Sequence, residues 1–257
     1  MDQLEVRFLA EKLGLPHPAL VPVVIAAAML GSLGVALSLP ALDARLPGGA
    51  ITTQALIEVV WLLIMWYGFM GHRQAYRDRY GKRAYLQAVI RFFLPGGVLM
   101  MEGIIRPAFL SGPALIVPAV ADILGLFGIT QGVLLGLRAV KSFGLARAAL
   151  VYSYFPEEDH LVQSRLYAYL RHPLYAMMAH VAIGIAMLSN NALALGCALI
   201  YFAKLVIWSW LEEKELMERF GHSYKAYRRQ TPAFFPRIRD LPGFWRTLIG
   251  ASRTSLR

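Results

Sequence analysis

The chain has a single cysteine, Cys197, and it lies inside an apolar run. No intrachain disulfide can form, and neither a CxxC redox pair nor a cysteine-rich zinc site can be built. Cys197 reads as a packing residue. Charge is scarce as well: 16% of the 257 residues are charged and 57% are hydrophobic, outside the usual range for a soluble globular domain. Acids are the scarcer sign, 16 Asp and Glu against 26 Lys and Arg, for a formal net charge of +10. That excess does not mark a nucleic-acid binder, because the basic residues fall in short polar segments between apolar runs. Orientation of a membrane protein by cytoplasmic positive charge, together with contact with anionic lipid heads, accounts for it. Internal repeats, low-complexity tracts and a separable second domain are absent too.

Long apolar runs take their place and predict an all-α, polytopic transmembrane bundle of five to six spans, each satisfying its own backbone hydrogen bonds. Leu4, Val6, Phe8, Leu9 and Leu13, set among charges, suit a short interfacial helix. The amino terminus carries acids as well as bases and the next apolar run exceeds a signal-peptide core, so no cleaved signal is expected. From Gly14 to Leu42 there is no Asp, Glu, Lys or Arg, and a first span is expected over 19–39. A second is expected over 52–70, with Glu58 near its outer end and Trp61, Trp66 and Tyr67 as an interfacial aromatic belt. Arg73, Arg77, Arg79, Lys82, Arg83 and Arg91 against the lone Asp78 make the segment that follows cytoplasmic. Prolines then interrupt a stretch for which a kinked span over 85–105 and another over 114–137 are expected. Glu102, Arg106 and Asp122 are read there as pairing at the outer interface or lining a polar cavity. Arg138, Lys141 and Arg147 mark a second cytoplasmic loop, and 143–155 suits an interfacial helix.

Arg171-His172-Pro173-Leu174-Tyr175 is a compact ionisable turn at the mouth of the last apolar segment, which runs nearly unbroken to Leu211 and ends on Glu212-Glu213. Two helices of about 18 residues each fit between them, turning at Ser189-Asn190-Asn191. A hairpin returns the chain to the membrane face it left, so His172 and the glutamates are expected to be neighbours. Adjacent glutamates on a helix diverge by about 100°. One is therefore expected to face a ligand and the other to hold a basic partner such as Arg171.

LVQSRLYAYLRHPLY, residues 161–175, followed by an apolar hairpin and then EEKELMERFGHSYKAYRRQTPAFFP, residues 212–236, resembles the isoprenylcysteine carboxyl methyltransferase and phospholipid methyltransferase superfamily. The family pattern is approximately LVxxGPYxxxRHPxYxG, then EExxLxxxFGxxYxxYxxxxPxxxP. The resemblance implies a cytoplasm-facing pocket for S-adenosylmethionine in residues 151–257, with residues 1–150 supplying amino-terminal transmembrane helices. The residues it implies for that donor are Leu161, Val162, Tyr167, Tyr169, His172, Pro173, Tyr175, Glu212 and Glu213, with Arg171, Glu213 and Arg229 as the catalytic set and no metal. The chemistry is compatible: a sulfonium cation with an adenosine calls for negative charge, aromatic faces and hydrogen-bonding groups.

The implied acceptor is a lipophilic molecule reached from the bilayer, an isoprenylcysteine carboxylate, lipid or small thiol. A carboxylate or thiolate needs only a cation, for which Arg228 and Arg229 are available; an amine or hydroxyl also needs a base such as Glu213. The expected location is a multi-pass protein of a bacterial inner or plasma membrane. Arg165-Leu166 stand where the family has Gly-Pro, Met177 where it has glycine, and Gln230 where it often has arginine. These departures keep a non-catalytic protein on the same scaffold in view. A membrane sterol-type reductase using NADPH shares a similar RHPxYxGE pattern, but Gly-Glu is missing after Tyr175.

Overall fold

The structure, a computed structural model, describes residues 3–250. It is all-helical apart from one isolated bridge, Ala114 to Asn191. Helix α1 (Gln3–Lys12) precedes α2 (Leu20–Asp43) and α3 (Gly49–Met65), which runs on through a π turn, Trp66–Gly71. Next come α4 (Arg73–Tyr80), α5 (Ala84–Ala88), a second π turn (Val89–Phe93) and α6 (Leu94–Ile105). Then follow α7 (Pro118–Phe143), the short α8 (Leu145–Ala148) and α9 (Val151–Tyr154), α10 (Pro173–Ser189), α11 (Ala192–Gln230) and α12 (Leu241–Ile249). Among the described residues five helical stretches, counting 73–109 as one, are long and apolar enough to cross a membrane; α10, at 17 residues, falls just short. It must nevertheless run the length of the bundle, because its start adjoins Glu213 at one end while Asn190 meets Leu115 and Ile116 at the other. The proline-rich stretch resolves into two helical segments long and apolar enough to cross, 73–109 and 118–143.

The last hairpin folds as its residues dictate. Asn190 takes the left-handed conformation (φ 47°), which asparagine tolerates, and the Asn191 side chain caps α11 by accepting from the Ala194 N–H at 2.9 Å. Along the hairpin, α10 packs chiefly on α7. Gly125 and Gly184 allow this: a Cβ on Gly184 would meet the Gly125 carbonyl oxygen at 2.8 Å. Such small-residue seams are how helices approach in lipid. Helix α11 does not stop at Leu211; it continues to Gln230 with one bend at Gly221 (φ 52°), a conformation that favours glycine. The stretch from Ala192 to Leu211 alone rises about 30 Å, the hydrocarbon thickness, so the charged half after Leu211 lies beyond what the crossing needs.

Several expectations need correction. Trp61 belongs to no interfacial belt: it is 2% exposed and donates to the Gly96 carbonyl at 2.8 Å, whereas Trp66 and Tyr67 are exposed as a belt requires. Residues 143–155 form no single interfacial helix. They break at Leu150 (φ 58°) into α8 and α9, with Val151 and Tyr154 buried in the protein. Helix α1 likewise buries Leu9 and Ala10 against the protein, and its Glu5 accepts from the Leu145 N–H at 3.0 Å.

Glu58 is not near an outer end but inside the bundle. Its carboxylate lies 2.9 Å from Lys204 Nζ of α11, with side chains 4% and 1% exposed, and accepts from Gln54 at 2.6 Å. Lys204 is the one charge inside the nearly unbroken apolar run to Leu211. Glu102 and Arg106 pair at 3.7 Å and Arg106 reaches Asp43 at 2.6 Å, so they do meet at the end of the bundle, while Asp122 stands exposed apart from them. Removing one member of a buried pair costs about 3–5 kcal/mol, because the other charge is stranded. Lys204→Met should therefore lower the unfolding temperature in detergent sharply, and Lys204→Met with Glu58→Gln should recover most of it. A double variant no better than the single would show that the pair is not what matters.

Candidate functional site

One end of the bundle, where α1, α4, 143–172 and the far half of α11 gather, opens into a cavity of about 1280 Å³ including its mouth. Its floor is apolar and built by the spans: Trp61 and Met65 of α3, Met100 of α6, Met178 of α10 and Trp208 of α11. Both π turns feed the same floor, with Phe69 and Met70 from the first and Phe93 from the second. A π turn rotates the residues after it relative to a regular helix, and such turns recur at functional sites.

The rim is charged. Asp159 takes Arg147 at 2.8 Å and Arg219 at 2.7 Å, and Arg219 also pairs with Glu215, which holds Arg73 at 2.5 Å. This ladder ties α4 and the loop after α9 to α11.

The wall is the Arg171-His172-Pro173 turn. Pro173 opens α10, where its missing N–H costs nothing, and holds His172 out of the helical region (φ −123°). The backbone N–H groups of Arg171 and His172 donate to the carbonyls of Pro232 at 2.9 Å and Ala233 at 3.0 Å, so the tail after α11 backs the turn. The Arg171 side chain donates to Glu213 at 2.7 and 2.8 Å and to the Thr231 carbonyl. Glu213 also takes His172 Nε2 at 3.0 Å and Arg228 at 2.9 Å. An ionised carboxylate only accepts, so Nε2 carries a hydrogen. With three donors around it, Glu213 has no capacity left to act as a base.

Glu212 points the other way, into the cavity. It shares a hydrogen bond with Tyr175, whose oxygen accepts from Trp208 Nε1 at 3.0 Å, and lies 3.5 Å from His172 Nδ1. Tyr167 stacks on Phe143 with ring centroids 4.9 Å apart, and its carbonyl accepts from Tyr227 at 2.6 Å. Burial, and then the nearby Glu212 carboxylate, push the Tyr167 phenol well above its ordinary 10. It is a hydrogen-bond donor, not a base.

The cavity thus gathers Leu161, Val162, Tyr167, Arg171, His172, Tyr175 and Glu212. Glu213 sits behind the turn, and Pro173 is spent on starting α10. Two residues lie elsewhere. Tyr169 packs edge-on against Phe244 of α12 at 6.2 Å, and Arg229 is exposed, its carbonyl accepting from Arg237 at 3.1 Å while Arg228 takes the carboxylate. On a helix that segregates faces, neighbours 228 and 229 could not both reach the site.

The departures from the family pattern do not fill the cavity. Met177 packs on Gly136 of α7, and Arg165 reaches back to the Lys141 carbonyl at 3.3 Å. Arg165 sits at φ 55°, a conformation costing a non-glycine residue about 1 kcal/mol. Arg165→Gly should therefore stabilise the protein by about that amount, read as a higher unfolding temperature; a fall would contradict it. The residue patterns missed the rim ladder and the floor. Trp208 was legible, one helical turn before Glu212. Trp61, Arg147 and Asp159 come from elements whose approach is set by packing alone.

The match to a known family falls on the same region. Residues 120–223 match the family described as phospholipid methyltransferase. The Protein-S-isoprenylcysteine O-methyltransferase of Schizosaccharomyces pombe is 36% identical over 88 residues, 32% of this chain. The match spans about a third of that relative's length, 35%. No solved structure matches. By these matches part of this chain is similar to phospholipid methyltransferases and to an isoprenylcysteine O-methyltransferase.

Proposed function

We propose that the chain is an integral membrane methyltransferase that uses S-adenosylmethionine to methylate a lipophilic acceptor. The observation that carries this reading is a single cavity with a carboxylate and tyrosines at one side and an apolar floor inside the spans. The residues present fit the donor. Glu212 is the one carboxylate of the pair not consumed by cations, Tyr167 and Tyr175 offer aromatic faces, and Leu161 and Val162 lie in an irregular stretch whose backbone groups are open to an adenosine. When bound, the donor supplies an electrophilic methyl group on a sulfonium. The chain's own part is to hold and align. Glu212 faces the cationic end, Arg171 and Glu213 lock the turn, and the apolar floor keeps water from the acceptor's reactive atom. A carboxylate or thiolate acceptor suits this site better than an amine or hydroxyl, since Glu213 and Tyr167 are not free to take a proton and Glu212 is committed to the cationic donor. We assign residues 151–257 to the donor side and residues 1–150 to the spans that complete the floor. The basic segments at this end support a cytoplasmic face for the site.

Titration calorimetry on the detergent-solubilised full chain tests the reading. S-adenosylhomocysteine should bind, with the affinity reduced in Glu212→Gln. Binding of NADPH alone, or of neither ligand, would overturn it. Transfer of radiolabelled methyl groups into a total membrane lipid extract then identifies the acceptor class.

A further inference from the structure

The segment after α11 carries a surface that the site does not use. Phe235, Ile238, Trp245 and Ile249 stand 60%, 86%, 36% and 61% exposed. In α12, Leu241, Phe244 and Leu248 turn one stripe toward the protein, and Phe244 and Leu248 are buried. Pro242, Trp245 and Ile249, at i, i+3 and i+7, make a second apolar stripe about 100° around the helix that the described residues leave uncovered. Arg246 lies beside that stripe, and the Arg239 side chain is 74% exposed. Across residues 225–246 the chain has Lys225, Arg228, Arg229, Arg237, Arg239 and Arg246 against the single acid Asp240.

Depth fixes what meets this surface. Phe235 packs against His180 of α10 at 6.1 Å and Phe202 of α11 at 6.4 Å, both well inside crossing helices. An exposed aromatic ring at that level faces acyl chains, and the arginines that follow it stand at headgroup level. The same segment backs the catalytic wall: Pro232 and Ala233 accept from Arg171 and His172, the Phe234 ring lies 5.9 Å from His172, and Phe244 holds Tyr169.

We propose that residues 235–249 are an anchor for anionic phospholipid, which seats the apolar side chains in the leaflet and the arginines on phosphate-bearing headgroups, and so holds the tail against the Arg171-His172 turn. The anchor stands on geometry and charge alone; its effect on the turn rests on the donor site proposed above.

The test uses the full chain in nanodiscs of phosphatidylcholine, with and without phosphatidylglycerol. Spin-labelled lipids quench tryptophan fluorescence on contact, and the part due to Trp245 is the difference from Trp245→Phe. Labelled phosphatidylglycerol should quench it more than labelled phosphatidylcholine, and Arg239→Gln with Arg246→Gln should lower that preference about fivefold per arginine. Equal quenching by the two lipids, or none from Trp245, overturns the anchor. In the same discs, phosphatidylglycerol should tighten S-adenosylhomocysteine binding in the parent chain and not in the double variant. Equal affinity in both discs overturns the coupling. Failure to bind S-adenosylhomocysteine in any disc sinks the donor site instead, and the quenching result still decides the anchor.

Discussion

Replacing Glu213 by alanine is expected to cost the protein both its fold at this end and its ligand binding. The Glu213 side chain is 7% exposed and accepts from Arg171 and His172 of the turn and from Arg228 at the far end of α11. Its removal leaves Arg171, itself 12% exposed, facing only the carbonyls of Arg228 and Thr231. Stranding a buried charge costs about 3–5 kcal/mol. That is a large share of the stability of a typical domain. The unfolding temperature in detergent should fall by many degrees, and donor binding should vanish with it. Glu213→Gln keeps the acceptor oxygen but not the charge and should lie between. An alanine variant with unchanged unfolding temperature would mean that the turn is held by its backbone bonds to Pro232 and Ala233 alone.

Glu212→Gln should behave in the opposite way, binding poorly and folding well. Glu212 touches Tyr175 and approaches His172, but no cation depends on it. An amide of the same shape can still accept from Tyr175, so the unfolding temperature should change little. What is lost is a negative charge facing a cationic ligand. A hydrogen bond or contact to a charged group is worth about 1.5–3 kcal/mol, so affinity for S-adenosylmethionine should fall by about 10- to 150-fold. Affinity for S-adenosylhomocysteine, which lacks the sulfonium charge, should fall less. Equal losses for the two ligands would show that Glu212 meets the amino acid or adenosine part rather than the sulfonium. The two variants together separate the adjacent glutamates into a structural and a ligand-facing one.

Much of this was legible in the residues because local chemistry decides it. Pro173 has to start a helix, Asn190-Asn191 has to turn one, and the length between Leu174 and Leu211 allows one out-and-back passage. The meeting of the turn with Glu212 and Glu213 follows from those three facts. The split roles of the glutamates follow from helical geometry. Other parts depend on which helix faces which, and no residue pattern carries that. The pairing of Glu58 with Lys204 joins α3 to α11, and each charge alone looks like an isolated cost. Trp61 reads as an interfacial anchor until the floor of the cavity is assembled around it. Arg228 and Arg229 lie about 100° apart on the helix, and the residue pattern carries no register that tells which of them meets Glu213. Gly221 bends α11 so that Arg228 returns to Glu213.

The central claim is that the donor lies in the cavity between Glu212, Tyr167 and Tyr175, over the apolar floor. A crystal structure of the full chain grown with S-adenosylhomocysteine tests it most directly. The account predicts ligand density against those three side chains, with Glu213 still bound to Arg171 and His172. Density at any other surface, or an empty cavity at saturating ligand, would contradict it.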